Sequence, residues 1–351
     1  MSVTIIIPFH RNLQYLGQSL SAARKGLPTA EILVAADGAM DDCNPLAAAA
    51  GARVIAIPGP RGPATARNRA AAEAMGDVLL FVDADVVATP DALAGMCRLL
   101  EQEPEVAAVF GAYDLEPAES NFMSQYKNLS HACVHESGSP EAATFWAGLG
   151  AMRSQVFRQV GGFDERFPRP SVEDIELGYR VRRAGFRLRL DPTFRGKHLK
   201  HWTLWNSIVT DIQFRGIPWT QLIHRYGALS NDLNTRSELR FSVVLSYLLL
   251  ASVVAMAIAP LMGVVAVAAL VMLIFLNRSY YAWFARHRGR GFMLRVIPAH
   301  VLHHLCNGVS FVVGTFLHFG ARLGLRIPGA LPSSDWRPFP PTPAAAPRAN
   351  S

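Results

Sequence analysis

The chain of 351 residues has four cysteines, Cys43, Cys97, Cys133 and Cys306, and no two of them stand at CxxC or metal-finger spacing. That scarcity excludes a disulfide framework and a zinc module, and it fits reduced thiols in a cytosolic domain. A basic leader with a small-residue cleavage site is also missing, because the chain runs at once into Val3-Thr4-Ile5-Ile6-Ile7, the pattern of a buried strand. The first domain is therefore expected to stay in the cytosol. Lysine is absent after Glu238, where ten arginines face a single acid, Asp335. This segment carries +9 of a chain total of +7, so the remainder carries −2. A slightly acidic N-terminal part is ill suited to gripping a phosphate backbone, which excludes nucleic acid as a partner and makes the basicity a membrane-topology signal.

Charge is lacking altogether from Phe241 to Leu276 and again from Val296 to Phe319. As one straight helix the first run would measure about 54 Å against a hydrocarbon core of about 30 Å. Pro260 and Gly263 interrupt it near the middle, so a hairpin of two short spans is expected over 241–276. A basic stretch over 278–295, with Arg286, Arg288, Arg290 and Arg295, follows and should be cytoplasmic; a third span is expected at about 296–319. The resulting organisation is a cytosolic domain over 1–235, a membrane region over 236–327 and a disordered tail rich in proline and alanine over 328–351. On these boundaries, removing everything after Asn234 should leave a soluble domain. His300, His303 and His304 share a helix face and are read as residues at the head-group level rather than as metal ligands.

What the first half does contain is a rhythm of short apolar runs, Val3 to Ile7, Glu31 to Ala35, Arg53 to Ile57 and Val78 to Val82, separated by stretches of helix length. This predicts an α/β fold with βαβ units on a mostly parallel, Rossmann-like sheet. Ligands of such sheets sit beyond the carboxyl ends of the strands. The residues at those ends are Pro8-Phe9-His10-Arg11, Asp37-Gly38, Pro58 to Gly62 and Asp83-Ala84-Asp85.

Asp83 and Asp85 can hold Mg²⁺ or Mn²⁺ against a diphosphate, or can form an ordinary solvated turn before the helix that Thr89-Pro90-Asp91 opens. Asp37 suits a hydrogen bond from a base or ribose, and Arg67, in the first turn of a helix, suits phosphate. Ser171 is expected to cap a helix that carries Asp174 in its first turn, with Glu176 and Arg180 paired at i, i+4. A carboxylate at that helix end is also placed to act as a general base. His198 can join two carboxylates around a cation, or can be an interfacial histidine beside Lys197 and Lys200.

Taken in order, Ile5 to His10, Asp37-Gly38, Ala66-Arg67-Asn68, Phe81 to Asp85, Gly161-Gly162-Phe163-Asp164-Glu165, and Glu173-Asp174 with Leu177-Gly178-Tyr179-Arg180 resemble the family 2 glycosyltransferases over roughly residues 3–220. The resemblance implies a GT-A nucleotide-diphospho-sugar transferase fold followed by C-terminal membrane helices. It implies that Pro8, Phe9, His10, Arg11, Asp37, Arg67, Asp83, Ala84 and Asp85 bind the nucleotide-sugar. The metal, Mg²⁺ or Mn²⁺, would be held by Asp83, Asp85 and His198. Asp174 would be the catalytic base, and Trp146, Gly148, Asp164, Glu173 and Trp202 would line the acceptor side.

The implied reaction is an inverting transfer from a UDP-linked sugar to a hydroxyl of a lipid, lipid-linked or glycan acceptor. It would take place at the cytoplasmic face of the inner membrane, in which the protein is integral. Two departures stand out. Ala36 occupies the first position of the usual paired-acid turn, and His198-Leu199-Lys200-His201-Trp202 replaces the Q-x-x-R-W of processive synthases, which favours single-sugar transfer. The alternatives are a catalytically inactive, membrane-tethered binding module and a sugar nucleotidyltransferase. The latter is disfavoured because no glycine-rich phosphate loop follows the first strand.

Overall fold

A computed structural model describes residues 1–39, 41–227, 237–325 and 327–331. These residues form two compact units, one made of Met1–Asp114 and Pro140–Leu199, the other of Leu115–Ser139 and Lys200–Ser333. The segments 115–139 and 200–227 thus join the C-terminal helices rather than the sheet. The expected tail lies outside the described residues from position 332 onward, and so does the expected domain junction at 235.

The first unit is built on eight strands: β1 Val3–Phe9, β2 Glu31–Asp37, β3 Arg53–Ile57, β4 Val78–Val82, β5 Val86–Ala88, β6 Val106–Tyr113, β7 Leu149–Arg153 and β8 Arg187–His198. Their spatial order is β3-β2-β1-β4-β7-β6-β8-β5. The four strands anticipated from apolar runs pair in parallel, with β1 between β2 and β4 and β3 outside β2. β7 runs against both β4 and β6, and β5 against β8, so the sheet is mixed. The apolar runs could not reveal this, because a fully buried strand reads the same in either direction.

The strand period of two divides the core. Ile5, Ile7, Leu80 and Val82 pack with Leu16, Leu20, Val34 and Met96 in one cluster. Phe81, one residue out of phase, meets Phe157 and Phe163 with ring centroids 5.5 and 5.2 Å away. Because β6 and β8 run with β4, the carboxyl ends of β1, β2, β3, β4, β6 and β8 share one edge of the sheet. The reversed β7 brings its beginning, and with it Trp146 to Gly148, to that same edge.

The second unit is helical. It comprises Phe122–Glu136, Leu204–Val209, a π-helical turn Thr210–Gly216, Ile217–Tyr226, Ser237–Ala255, Met262–Leu276 and Arg278–Arg322. Pro260 falls between two of these helices, where its missing N–H costs no helical hydrogen bond. The last helix is broken at Gly289, whose φ of 81° is left-handed. Ser237–Ala255 and Arg278–Arg322 are long and apolar enough to cross a membrane, and Met262–Leu276 is a shorter apolar helix. Phe122–Glu136 turns Tyr126 and Leu129 into a cluster with Leu273, Tyr281, Phe284 and Val296.

Candidate active site

The polar residues at the strand ends are organised around Arg67. This residue lies in the helix Pro63–Glu73, which Pro63 starts where a missing N–H is harmless. The Arg67 guanidinium is almost fully buried, with Nη2 2.6 Å from Asp83 and Nη1 3.0 Å from Glu173. Burial works against its charge, but Asp83, Glu173 and Asp174 together raise its proton affinity above the ordinary arginine value. Its Nε–H is buried and has no partner among the described residues.

Asp83 and Asp85 occupy the turn between β4 and β5, fixed by the Val86 N–H donating to the Asp83 carbonyl at 2.9 Å. Both side chains are about a third exposed, at 32% and 30%, so each can still meet a ligand. Burial raises the Asp83 carboxyl above the usual range; Asp85 and Glu173 add to this and Arg67 opposes it. Asp85 Oδ2 lies 3.4 Å from His198 Nε2.

His198 ends β8, and its ring stacks on Tyr113, the last residue of β6, with centroids 4.4 Å apart and planes 8° from parallel. Tyr113 also meets the edge of Trp146 at 4.9 Å. Its part was invisible in the sequence, since nothing local marks Tyr113 as more than a strand end.

A divalent cation fits this corner. Asp85 and His198 offer a carboxylate and an imidazole, and the crowding of Asp83 against Asp85 is a negative excess that a cation relieves. Among the described residues no three His, Cys, Asp or Glu side chains converge as a ready cage. Such a partial set suits Mg²⁺ or Mn²⁺, which keep most of their positions for phosphate oxygens and water.

Asp174 lies in the first turn of the helix Glu173–Arg183. Its Oδ2 accepts from the Ala147 N–H at 3.2 Å and its Oδ1 from the Ile175 N–H at 2.8 Å. Burial, then the adjacent Glu173, push its carboxyl up to about 7, against the pull of Arg67 and the two N–H groups. The helix begins one residue later than anticipated. Val172 is its N-cap, without a side-chain hydrogen bond, and the Glu173 carboxylate receives the Ser171 N–H at 2.8 Å. The Glu176–Arg180 pair is present at 2.6 Å.

The remaining candidates divide. Asp37 is buried at the end of β2 and accepts from the N–H groups of Arg61 and Gly62 at 2.8 and 2.7 Å, which shapes the loop after β3. His10 Nδ1 lies 2.9 Å from the Asp37 carbonyl; Pro8 and Phe9 end β1, Arg11 is exposed and Ala84 is half-buried. Gly148 leaves room for Trp146, since a Cβ there would stand 2.5 Å from the indole ring. Asp164 is buried, with Oδ2 2.6 Å from Arg166, and Glu173 is buried behind Arg67. Trp202 belongs to the helical unit, where its carbonyl accepts from Asn121 Nδ2 at 2.7 Å.

Residues 4–161 match the family described as Glycosyl transferase family 2. The pre-mycofactocin glycosyltransferase of Mycobacterium tuberculosis is 31% identical over 214 residues, 54% of this chain and 41% of that protein. The probable glycosyltransferase YdaM of Bacillus subtilis is 25% identical over 138 residues, 38% of this chain and 32% of that protein. The chain therefore spans well under half the length of these curated relatives. Among solved structures, mannosyltransferase PcManGT from Pyrobaculum calidifontis, in complex with GDP-Man and Mn²⁺, superposes with a TM-score of 0.53 at 17% identity, covering 88% of this chain and 86% of that one. That likeness is one of fold. The family match over residues 4–161, the mixed sheet and the structural likeness agree on a GT-A fold similar to that of family 2 glycosyltransferases.

Proposed function

We propose that the protein moves a single sugar from a nucleotide-diphospho-sugar, UDP-linked in the first instance, to an acceptor hydroxyl with inversion at the anomeric carbon. Asp174 is the base. The acceptor oxygen attacks the anomeric carbon from the side opposite the diphosphate, its proton passes to the Asp174 carboxylate, and the bond from that carbon to the diphosphate oxygen breaks. Asp85 and His198, with Asp83 beside them, would hold Mg²⁺ or Mn²⁺, whose charge would offset that gathering on the departing nucleotide. Arg67 fixes Asp83 and Glu173, and Trp146 offers an apolar wall on the acceptor side.

One observation carries the reading most: Asp174 is a half-buried carboxylate, oriented by two backbone N–H groups, which partial burial and Glu173 push up to about 7. That is the range in which a general base works best at physiological pH.

The outward apolar side chains of the C-terminal helices, Phe241, Val254, Ile258 and Val264 among them, support insertion in the inner membrane with the catalytic domain in the cytoplasm. A lipid or lipid-linked acceptor follows from that setting.

The test uses the full-length protein in detergent with a panel of nucleotide-sugars and Mn²⁺. Asp174→Asn should keep nucleotide-dependent thermal stabilisation and lose transfer by about 10³-fold, while Asp85→Ala should lose the Mn²⁺-dependent part of the stabilisation. Equal transfer by Asp174→Asn and the natural protein would remove the base.

A further inference from the structure

The His198 imidazole is held by more than its own strand, and the reason begins in the pairing of β6 with β8. Phe110 on β6 stands opposite Leu190 on β8, and an unbroken parallel register from there would set Tyr113 against Thr193. The register shifts between Phe110 and Ala112, so Tyr113 stands against Gly196 instead. Two glycines seat the displaced Phe194. A Cβ on Gly111 would lie 2.0 Å from the Phe194 carbonyl oxygen, and one on Gly95, in the helix Pro90–Gln102, would lie 2.4 Å from the Phe194 ring. An irregularity of this kind bends a strand and re-aims the side chains beyond it.

What it re-aims here is His198. Gly196 and His198 are two residues apart, so the strand period sets His198 on the face it shares with Tyr113. The two rings stack there, with centroids 4.4 Å apart and planes 8° from parallel. Trp146 stands nearly perpendicular to the phenol ring, 4.9 Å away. Tyr113 and His198 are both buried.

The second side-chain torsion of histidine is broad, so the backbone of His198 does not by itself fix the plane of its ring. A flat neighbour does. The plane matters because His198 Nε2 lies 3.4 Å from Asp85 Oδ2, and adjacent donors around an octahedral cation stand about 3 Å apart. Turning the ring would carry Nε2 away from the carboxylate.

We propose that Tyr113 is the positioning residue of this corner: its ring fixes the imidazole plane and thereby sets the affinity for Mg²⁺ or Mn²⁺, without touching the ion. The proposal rests on the metal role given above to Asp85 and His198.

The experiment is Mn²⁺ titration followed by electron paramagnetic resonance, on the full-length protein in detergent, with whichever of UDP and GDP stabilises it more. Tyr113→Leu and Tyr113→Met should weaken Mn²⁺ binding about tenfold, while Tyr113→Phe, which keeps the ring, should stay within about twofold of the natural protein. His198→Ala should weaken binding at least as much as Tyr113→Leu, and combining the two should add no further loss, because Tyr113 acts through the imidazole. Pulsed spectra should show imidazole nitrogen coupled to Mn²⁺ in the natural protein and in Tyr113→Phe, with the coupling diminished in Tyr113→Leu. Melting in EDTA checks that the variants fold, and Tyr113→Met carries the comparison if Tyr113→Leu melts early. Unchanged affinity in the variants without a ring, additive losses in the double variant, or a Tyr113→Phe loss as large as that of Tyr113→Leu overturns the positioning role and leaves the metal reading standing. Mn²⁺ bound without nitrogen coupling removes His198 as a ligand and the role of Tyr113 with it. No Mn²⁺ bound removes the metal reading as well.

Discussion

The two units of the chain place their apolar side chains in opposite ways. In the sheet unit Ile5, Ile6, Ile7 and Val34 are fully buried, and charged groups gather at one edge, where Asp83 and Asp85 are about a third exposed. In the helical unit Phe241, Val254, Ile258, Val264 and Val312 point outward, while Ser242, Ser246, Asn277, His304 and Ser310 are buried. Asn277 Nδ2 donates to Ser242 Oγ at 2.8 Å inside this second core. A helix bundle that hides its hydroxyls and shows its leucines and valines is suited to an apolar solvent. The comparison teaches that apolar side chains close inward in one unit and turn outward in the other, and each region's chemistry follows its own rule. The half-buried Asp174 near the sheet edge is made more basic by desolvation, whereas the Lys127 ammonium among the helices is kept by pairing with Asp211.

The strongest way to break this contrast is truncation. Removing everything after Asn234 strips Leu273, Tyr281, Phe284 and Val296 from Tyr126 and Leu129, which then lie bare on the helix Phe122–Glu136. The fragment 1–234 should aggregate on size-exclusion chromatography, against the soluble domain that the sequence boundaries alone suggest; recovery as a folded monomer would show that this helix needs no cover. A cut at 234 parts residues 115–139 from the C-terminal helices with which they group.

A pair of point changes sharpens the contrast at smaller scale. Ile7→Ser, at a fully buried position, should cost the sheet unit about 4 kcal/mol through a cavity and a buried hydroxyl. Phe241→Ser, at a position 64% exposed, should leave chemical denaturation of the sheet unit unchanged and weaken retention by vesicles. Comparable losses of fold from the two would mean that the exposed face of the bundle is packed against protein.

The smallest effect is in pH. Asp174 must be ionised to accept a proton, so transfer should fall as pH drops through about 7, with activity across pH 5.5 to 8.5 as the measurement. Stability runs the other way. Because the folded state holds the Asp174 proton more tightly than the unfolded chain, this group's contribution declines as pH rises from its unfolded value near 4 to about 7. Asp174→Asn should therefore raise Tm more at pH 8 than at pH 4, and an equal gain at both would place the carboxylate in a solvated setting.

Much of the site was legible because it sits where a regular pattern ends. Asp37, Asp83 and the start of the Asp174 helix each border an apolar run or a helical one, and the parallel strands carry those borders to one edge. Thr89 caps the helix Pro90–Gln102 as its spacing predicts, accepting from the Ala92 N–H. Less legible was what the acids spend themselves on. Asp164 and Glu173, placed by the resemblance on the acceptor side, are tied to Arg166 and Arg67. Tyr113 carried no local mark at all and yet supports the His198 ring.

By itself the sequence determined four of the eight strands, their ends to within two residues, and the charge-free runs that become the C-terminal helices, since periodicity and the absence of charge act over a few neighbouring residues. The tertiary structure alone decided that β7 is reversed, that Arg67 binds Glu173, 106 positions away, as well as Asp83, and that residues 115–139 side with the C-terminal helices. Those outcomes depend on contacts between distant segments, whose free energy exists only once the chain has closed upon itself.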